Sequence, residues 1–281
     1  MEKDPMVLIN AALLGAVGIC MEIVVADQLN RRGSGTDFKS DSTIVTPTDK
    51  RSDKAGKDYL RKIFSVARKK VSIHGEESGN EGEGDLVVYL DGLDGSKPFA
   101  VGAITSTVIA ACYDKKLRQV VSCVVGEPAN KRAWSSFGSN LKTWKGDLGK
   151  KNVVFVDSYP GFTRGGKTIF TNAQYHALHE DLFTNWNPLM LGSNGLHHAL
   201  VAQGNELSAG AITTAIGGPW DVCPVWLVLK AGGTAYAWEV VDGHLEERDP
   251  LDVTSYDILV TGGSELVAKR LAATVRQVFS A

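Results

Sequence analysis

Acidic residues stand at four places where an apolar stretch of the sequence runs into a polar or glycine-rich turn. They are Asp49 after IVTPT, Glu76 and Glu77 after VSIHG, Asp91 and Asp94 after LVVYL, and Asp221 after GGPW. Each residue alone is typical of a turn or a helix cap. Together they offer a set of carboxylate oxygens of the kind that Mg²⁺ takes alongside carbonyls and water.

The run DGLDGS that begins at Asp91 carries the most chemistry. An extended chain cannot aim Asp91 and Asp94 at one point, whereas a tight turn can, and that turn would also expose the carbonyl of Leu93. The two glycines permit such a turn. If a helix or turn starts after Asp94, the N–H groups of Gly95 and Ser96 become a cradle for phosphate. A plain Gly/Asp-rich hairpin turn is the structural alternative.

Four segments resemble the signatures of the inositol monophosphatase, fructose-1,6-bisphosphatase and bisphosphate nucleotidase superfamily. DGLDGS is similar to its D-P-[IL]-D-G-[ST] signature, GEES to its G-E-E element, and IVTPTD to its V-T-x-x-D element. WDVCPVWLVLKAGG resembles its W-D signature, which ends in A-G-G. The four occur in the family order with family-like spacing over nearly the whole chain, so the ordered set is much more specific than any one of them.

The resemblance implies a lithium-sensitive phosphatase that uses two or three Mg²⁺ ions. The implied ligands are Glu76, Asp91 and the Leu93 carbonyl for one ion, Asp91, Asp94 and Asp221 for a second, and Asp49 for a weaker third. In the implied mechanism, water on the first ion, oriented by Glu76 and the Ser96 hydroxyl, attacks phosphorus while Asp49 polarises Ser96. No covalent nucleophile is required, because phosphoryl transfer depends mostly on positioning and charge neutralisation.

The expected substrate is a small soluble phosphate ester such as inositol monophosphate, fructose 1,6-bisphosphate or a similar sugar or polyol phosphate. Its expected contacts are Gly95, Ser96 and Lys97 at the phosphate, and Gly192, Ser193 and Asn194 in a loop that matches the family's G-[ST] loop. Residues 97–99 resemble the corresponding run of adenosine 3′,5′-bisphosphate nucleotidases and some histidinol-phosphate phosphatases, so these branches are alternatives. Gly92 replaces the family's usual proline. Residues 208–219 contain no acidic residue, whereas inositol monophosphatases have a glutamate there that contacts the sugar.

Two further functions compete with this interpretation. Residues 161–168, GFTRGGKT, satisfy the Walker A pattern G-x-x-x-x-G-K-T after an apolar strand, which would indicate a P-loop nucleotide triphosphatase. The TIF that follows favours a strand, however, whereas a P-loop runs into a helix. A non-catalytic relative that binds phosphate ligands is the other alternative.

The elements that must position these residues fall into two halves. Residues 1–147 are predicted to form an α+β half, with helices over residues 5–30 and 52–69, a loop or hairpin over residues 33–42, and an antiparallel sheet. Residues 148–281 alternate strands and helices, which is typical of α/β layering. The predicted fold class is therefore α/β. The resemblance implies a layered αβαβα sandwich, with the site between the halves and a homodimer or larger assembly.

Composition narrows the classes of function. The 281 residues are 43% hydrophobic and 22% charged with a net charge of −2, which is ordinary for a soluble protein and argues against a nucleic-acid-binding one. The four cysteines have no metal-site or disulfide spacing, which favours a reducing compartment. The apolar stretch at residues 5–21 is interrupted by Asn10 and diluted by glycines. We therefore expect a buried first helix, no membrane span and a cytoplasmic protein.

Overall fold

The structure, a computed structural model, describes residues 5–30, 35–38, 44–148, 152–164 and 166–280. The chain divides into two compact units, Met1–Gly138 and Ser139–Ala281, called here the N-terminal unit and the C-terminal unit. Each unit contains one six-stranded sheet with helices packed on it, which confirms the predicted α/β class. The predicted loop over residues 33–42 lies largely outside the described residues.

The N-terminal unit is a mixed sheet with two long helices. Its helices are α1 (Pro5–Asn30), α2 (Pro47–Val66) and α3 (Ser96–Ala100). Its strands are β1 (Asp37–Phe38), β2 (Ile44–Val45), β3 (Val71–Gly75), β4 (Gly79–Glu81), β5 (Leu86–Asp94), β6 (Thr107–Asp114), β7 (Gln119–Glu127) and β8 (Arg132–Ser135). The strand order is β4-β3-β5-β6-β7-β8. Four of its five pairings are antiparallel as predicted, but β3 and β5 are parallel. The short β4 turns back onto the outer edge of β3 and leaves the inner edge to β5.

Helix α1 is long and apolar enough to cross a membrane by length and composition alone. In this fold it packs on the sheet, and its side chains Ile9, Leu13 and Val17 are buried in one cluster with Val108 of β6 and Val124 of β7. Burying side chains of this size is the main favourable contribution to folding, at about 1.5–3 kcal/mol each. The helix therefore forms part of the core of the N-terminal unit.

The C-terminal unit is built on a second mixed sheet. Its helices are α4 (Asn172–Asn185), α5 (Asn194–Ala202), α6 (Pro219–Val222), α7 (Val225–Lys230) and α8 (Glu265–Ser280). Its strands are β9 (Val153–Asp157), β10 (Phe162–Arg164), β11 (Lys167–Phe170), β12 (Asn187–Leu189), β13 (Ser208–Thr213), β14 (Thr234–Val241), β15 (His244–Arg248) and β16 (Ile258–Gly262). The sheet order is β12-β9-β13-β16-β14-β15, with β9 parallel to both of its neighbours.

Helices cover both faces of this second sheet. Ile212 and Val260 lie in the apolar cluster that includes α4 and α8. Their strand neighbours Thr213 and Thr261 face the opposite side, because side chains alternate along a strand. His198 of α5 lies 3.5 Å from the Thr213 hydroxyl and 3.1 Å from the Thr261 hydroxyl, so α5 covers that opposite face. The unit is therefore a three-layer α/β/α arrangement.

The Walker A pattern does not form a phosphate-binding loop. The described residues of the segment 161–168 form the antiparallel hairpin of β10 and β11, and the next helix starts only at Asn172, after its cap Thr171. Lys167 Nζ donates to Asp257 Oδ2 at 2.9 Å. A P-loop runs from a strand directly into a helix. The nucleotide triphosphatase interpretation is therefore wrong.

Candidate active site

Asp91 and Asp94 lie on a bulged strand end instead of the predicted tight turn. In the pairing of β5 with β6, Asp91 faces Ile109 and Asp94 faces Thr107, so β5 advances three residues where β6 advances two. Residues i and i+3 of a regular strand point to opposite faces. One extra residue shifts the alternation, which brings the two carboxylates to the same face, and bulges re-aim side chains in this way.

Helix α2 requires glycine at position 92. A Cβ on Gly92 would lie 2.3 Å from the backbone nitrogen of Asp53 and 2.7 Å from its Cα, which is closer than real Cβ atoms approach. The Ser52 hydroxyl donates to the Gly92 carbonyl at 2.6 Å. The glycine that replaces the family's proline therefore does not loosen the segment, because α2 packs directly against it.

Asp49 lies in the first turn of α2, whereas the sequence predicted it at a strand end and predicted the helix from residue 52. Thr46 caps the helix, Pro47 occupies its first turn, and Asp49 completes a capping box by accepting from the Thr46 N–H at 2.8 Å. Both Pro47 and the capping box stabilise helix starts. The other oxygen of Asp49 accepts a short hydrogen bond from the Ser96 hydroxyl. The structure thus brings together two residues that the sequence separates by 47 positions.

Ser96 opens the short helix α3, directly after Gly95. Gly95 has φ of +93°, the left-handed conformation that glycine adopts readily, and it caps the helix. The Ser96 hydroxyl also lies 3.4 Å from the Leu93 carbonyl. Lys97 is exposed on α3. A helix does start after Asp94, as expected, and the first N–H groups of a helix are not used by its own hydrogen bonds.

The parallel pairing of β3 with β5 brings Glu76 beside Asp91. Gly75 and Leu90 are register partners, and the carboxyl ends of two parallel strands meet at the same edge of a sheet. Glu76 and Asp91 are the next residues on their strands, and the Glu76 N–H donates to the Leu90 carbonyl at 3.0 Å. The mixed sheet that the sequence did not predict is therefore what joins two of the predicted ligands.

The donor set of this edge suits a hard divalent cation. Asp91 and Asp94 are 4% and 6% exposed, and each has an oxygen that accepts from a neutral donor: the Leu93 N–H at 2.8 Å and the Thr107 hydroxyl at 2.9 Å. Mg²⁺ prefers such carboxylates together with carbonyls and water. Within the described part of the chain, no group of three or more His, Cys, Asp or Glu side chains is arranged to hold a metal ion, so it is the chemistry of these donors, and not their present arrangement, that suits the cation.

Burial dominates the electrostatics of the two carboxylates on α2. It raises the pKa of Asp49 above its usual value, although hydrogen bonds from Ser96 and Thr46 oppose the shift. Burial also raises the pKa of Asp53, opposed by its hydrogen bonds with Ser78. One oxygen of Asp53, Oδ1, is buried and has no hydrogen-bond partner among the residues that the structure describes. Burial therefore favours the protonated form of both carboxyls, and a cation bound beside Asp49 would favour its charged form.

Asp221 belongs to the C-terminal unit and is held by its own neighbours. It is the third residue of the short helix α6, and its Oδ2 accepts from the N–H groups of Gly217 at 2.6 Å and Gly218 at 3.0 Å. Pro219 opens the helix. The side chain of Asp221 is half-buried. After GGPW the chain forms two short helices, since α6 ends at Val222 and α7 begins at Val225.

The predicted substrate-side loop, also in the C-terminal unit, precedes α5. Gly192 has φ of +75°, and Ser193 caps the helix by accepting from a backbone N–H at 3.2 Å. Asn194 is buried, donates to Asp157 Oδ2 at 3.0 Å and accepts from the Thr213 hydroxyl at 3.3 Å. The loop is therefore fixed by a helix cap and a buried amide.

The sequence did not predict that His197 and His198 are completely buried. His197 Nε2 accepts from the Leu191 N–H at 3.1 Å, and its ring stacks on Phe155. Burial lowers the pKa of His197 to about 3 and that of His198 to about 4. The apolar residues on both sides of the pair in GLHHALVA were the signal that could have indicated burial.

Comparisons with known proteins agree with this architecture. A sequence model of the inositol monophosphatase family matches residues 2–279. A histidinol-phosphatase of Streptomyces coelicolor is 36% identical over 92 residues, which span 32% of this chain and 34% of that protein.

Solved structures have the same fold at low sequence identity. The extragenic suppressor protein SuhB of Bartonella henselae aligns with a TM-score of 0.75 at 18% identity, covering 96% of this chain and 99% of that one. An IMPase of Thermotoga maritima aligns with a TM-score of 0.68 at 18% identity, covering 94% and 96%. Because the family match spans nearly the whole sequence, the chain belongs to the inositol monophosphatase family and is a phosphoric monoester hydrolase.

Proposed function

We propose that this protein is a Mg²⁺-dependent phosphatase that hydrolyses a small soluble phosphate ester with water as the nucleophile. The observation that carries the proposal is the bulged end of β5, where Asp91 and Asp94 share a face beside Glu76. We propose Glu76, Asp91, Asp94 and the Leu93 carbonyl as ligands for Mg²⁺, with Asp221 as a further carboxylate ligand and Asp49 for a third ion. When bound, Mg²⁺ would neutralise phosphoryl charge and lower the pKa of a coordinated water.

The chain's own residues would orient the attacking water. Because the Ser96 hydroxyl donates its proton to Asp49, its lone pairs remain available to accept a hydrogen bond from that water. Glu76 would accept a hydrogen bond from the other hydrogen of the same water. The Thr107 hydroxyl holds one oxygen of Asp94 and so fixes the direction of the other. Such positioning accounts for most of the catalysis of phosphoryl transfer.

The phosphate of the substrate would lie at the start of α3. The N–H groups of Gly95 and Ser96 are proposed donors to it, with the exposed Lys97 as a nearby positive charge. The loop of Gly192, Ser193 and Asn194 is proposed to contact the leaving group. Sugar and polyol phosphates are the first candidates as substrates.

Histidinol phosphate is a second candidate, because the partial match to a histidinol-phosphatase is an observation that specifically favours it. The match covers a third of that protein, so it supports the branch without defining the substrate. We propose a cytoplasmic homodimer or larger homo-oligomer, consistent with four buried free cysteines, and inhibition by Li⁺ through competition at a Mg²⁺ position.

Phosphate release from a substrate panel tests the proposal. The panel contains inositol 1-phosphate, fructose 1,6-bisphosphate, adenosine 3′,5′-bisphosphate, histidinol phosphate and ATP, each with Mg²⁺ and with EDTA. We expect Mg²⁺-dependent release from a monoester, abolished by EDTA and reduced by Li⁺, while ATP is unchanged. No release from any monoester, with Mg²⁺ present and the protein folded, would contradict the proposal and favour a phosphate-binding relative.

A further inference from the structure

Helix α2 holds the turn after β3 through two side chains that are one helical turn apart. Asp53 and Lys57 are both buried, at 0% and 7% exposure. Residues four apart lie on the same face of a helix. Both side chains reach the turn that contains Glu76 and Glu77, which joins β3 to β4.

The two side chains bind the N–H and the carbonyl of the same residue, Ser78. Asp53 Oδ2 accepts from the Ser78 N–H at 2.8 Å. Lys57 Nζ donates to the Ser78 carbonyl at 3.0 Å and to the Gly79 carbonyl at 2.9 Å. Hydrogen bonds to charged groups are roughly twice as strong as neutral ones. The turn is therefore fixed on both sides by charged groups from a helix that is distant in sequence.

The contacts of Lys57 distinguish this arrangement from an ordinary surface ion pair. Its ammonium group lies 3.7 Å from a carboxylate oxygen of Glu81 but makes its shorter contacts with backbone carbonyls. Gly75, at the end of β3, has no room for a side chain, since a Cβ there would lie 2.3 Å from the Ser78 hydroxyl and 2.5 Å from Asp53 Oδ2. The α2 side chains thus fill the space beneath the turn.

We propose that Asp53 and Lys57 are positioning residues that fix the turn of Glu76 and Glu77 and thereby set the affinity of this edge for a divalent cation. The inference rests on the proposed function, because it takes Glu76 to be a metal ligand. Neither residue touches the reacting atoms. They act by restricting the backbone on which the ligand is carried, and residues that orient a ligand typically change metal affinity ten- to hundredfold when replaced.

The test measures Mn²⁺ binding by calorimetry in the full-length protein and in the variants Asp53→Ala and Lys57→Met. We expect Mn²⁺ affinity to fall about tenfold or more in each. Hydrogen exchange at the Ser78 amide should become faster in Asp53→Ala. The matched control is Lys54→Met on the exposed face of the same helix, where the lysine pairs only with Asp58 among the contacts described, and its Mn²⁺ affinity should equal that of the unaltered protein.

Two conservative variants separate positioning from a general loss of stability. Asp53→Asn keeps an acceptor for the Ser78 N–H, and Lys57→Arg keeps a charged donor, so both should retain more affinity than the truncating variants even if those fold poorly. In activity assays of Asp53→Ala and Lys57→Met, the Mg²⁺ concentration that gives half of the maximal rate should rise about tenfold. Their kcat at saturating Mg²⁺ should change less than about twofold. A purely structural defect would lower kcat through the amount of folded protein and leave the Mg²⁺ dependence unchanged.

The outcomes separate this inference from the proposed function. Unchanged Mn²⁺ affinity in folded Asp53→Ala and Lys57→Met, or no Mn²⁺ binding by the unaltered protein, overturns the inference. Weaker binding without faster exchange at Ser78 in Asp53→Ala overturns it as well. Mn²⁺ binding that weakens as expected, in a protein that hydrolyses no phosphomonoester, supports the positioning role while the proposed function fails.

Discussion

The two units hold their candidate ligands in different ways. In the N-terminal unit, Asp49 accepts from Thr46 three positions before it but also from Ser96, 47 positions away, and Asp94 accepts from Thr107, 13 positions away. In the C-terminal unit, Asp221 is fixed by backbone N–H groups three and four positions before it. The distant contacts of the first arrangement depend on α2, β5 and β6 packing correctly, whereas the contacts of Asp221 with Gly217 and Gly218 form within a local turn.

This difference has a thermodynamic consequence. Contacts between residues distant in sequence form only when the intervening chain has been ordered, and closing such loops costs conformational entropy. A local cap forms with its own helix turn. We therefore expect a substitution in the N-terminal unit to change geometry, stability and metal binding together. A substitution around Asp221 should change one of these properties without the others.

The largest expected effect comes from exchanging a carboxylate for an amide in each unit. Asp91→Asn should lower kcat/KM on the order of a thousandfold or more, because several kcal/mol of metal-based charge stabilisation are lost at about 1.4 kcal/mol per tenfold. Asp221→Asn should lower it less, since Asp91 is proposed to contact two ions and Asp221 one. Steady-state kinetics across a Mg²⁺ series measures both.

Both variants should fold, because asparagine keeps the acceptor oxygen that each aspartate uses. Circular dichroism and thermal unfolding check this. Turnover like that of the unaltered protein in Asp91→Asn would refute its assignment as a ligand. A larger fall in kcat/KM in Asp221→Asn than in Asp91→Asn would contradict the expected order of the two units.

The second effect is an acid sensitivity located in the C-terminal unit. The pKa values of His197 and His198 are lowered from 6.5 to about 3 and about 4 by burial. Between pH 6.5 and about 4 the unfolded chain therefore takes up protons that the folded protein does not, so this stability is complete above pH 6.5 and falls as the pH falls. At pH 5 the loss should be about 2 kcal/mol for each histidine.

Urea unfolding at pH 7.5 and pH 5 measures this loss, and hydrogen exchange shows in which unit it occurs. The single variants His197→Gln and His198→Gln should each reduce the loss by about 2 kcal/mol. The exposed His244 provides the control variant His244→Gln, which should keep the full loss. An acid loss that persists undiminished when both buried rings are replaced would contradict the assignment.

The smallest effect is expected when alanine replaces a glycine near a candidate ligand in each unit: Gly92, directly after Asp91, and Gly217, four positions before Asp221. In Gly92→Ala the new Cβ meets the backbone of Asp53, which cannot move without shifting α2, so we expect a destabilisation of about 1–3 kcal/mol and weaker metal binding. In Gly217→Ala the Cβ meets only Asp221 Oδ2, at 3.2 Å, and the loss should stay within about 0.5 kcal/mol. Urea unfolding and Mn²⁺ titration distinguish the two, and equal effects would break the comparison.

The sequence was sufficient for features that local patterns specify. The α/β class and the bounds of helix α1 were predicted, because apolar periodicity and length act within a segment. The start of α2 was misplaced, although the T-P-x-D pattern before it contained the signal of a capping box. The family was predicted from motif order and is confirmed.

Features that depend on pairing partners could not be predicted. Whether DGLDGS forms a tight turn or a bulged strand is decided by β6, which continues to pair with β5 as far as Thr107. The parallel pairing of β3 and β5, the hairpin of β10 and β11, and the hold of Lys57 on the turn after β3 likewise depend on elements elsewhere in the chain. The ligand roles of the individual carboxylates remain predictions that the variants above test.

The packing of α1 also has a consequence for synthesis of the protein on the ribosome. The helix ends at Asn30, and the strands that cover its apolar side, β6 and β7, begin at Thr107 and Gln119. At about 5–20 residues per second, some 4–18 s pass between translation of the helix and translation of these strands. During that interval α1 can pack on α2, which ends at Val66, but the side of α1 that faces the sheet stays uncovered, so we expect the nascent chain to be a client of ribosome-associated chaperones until β7 has emerged.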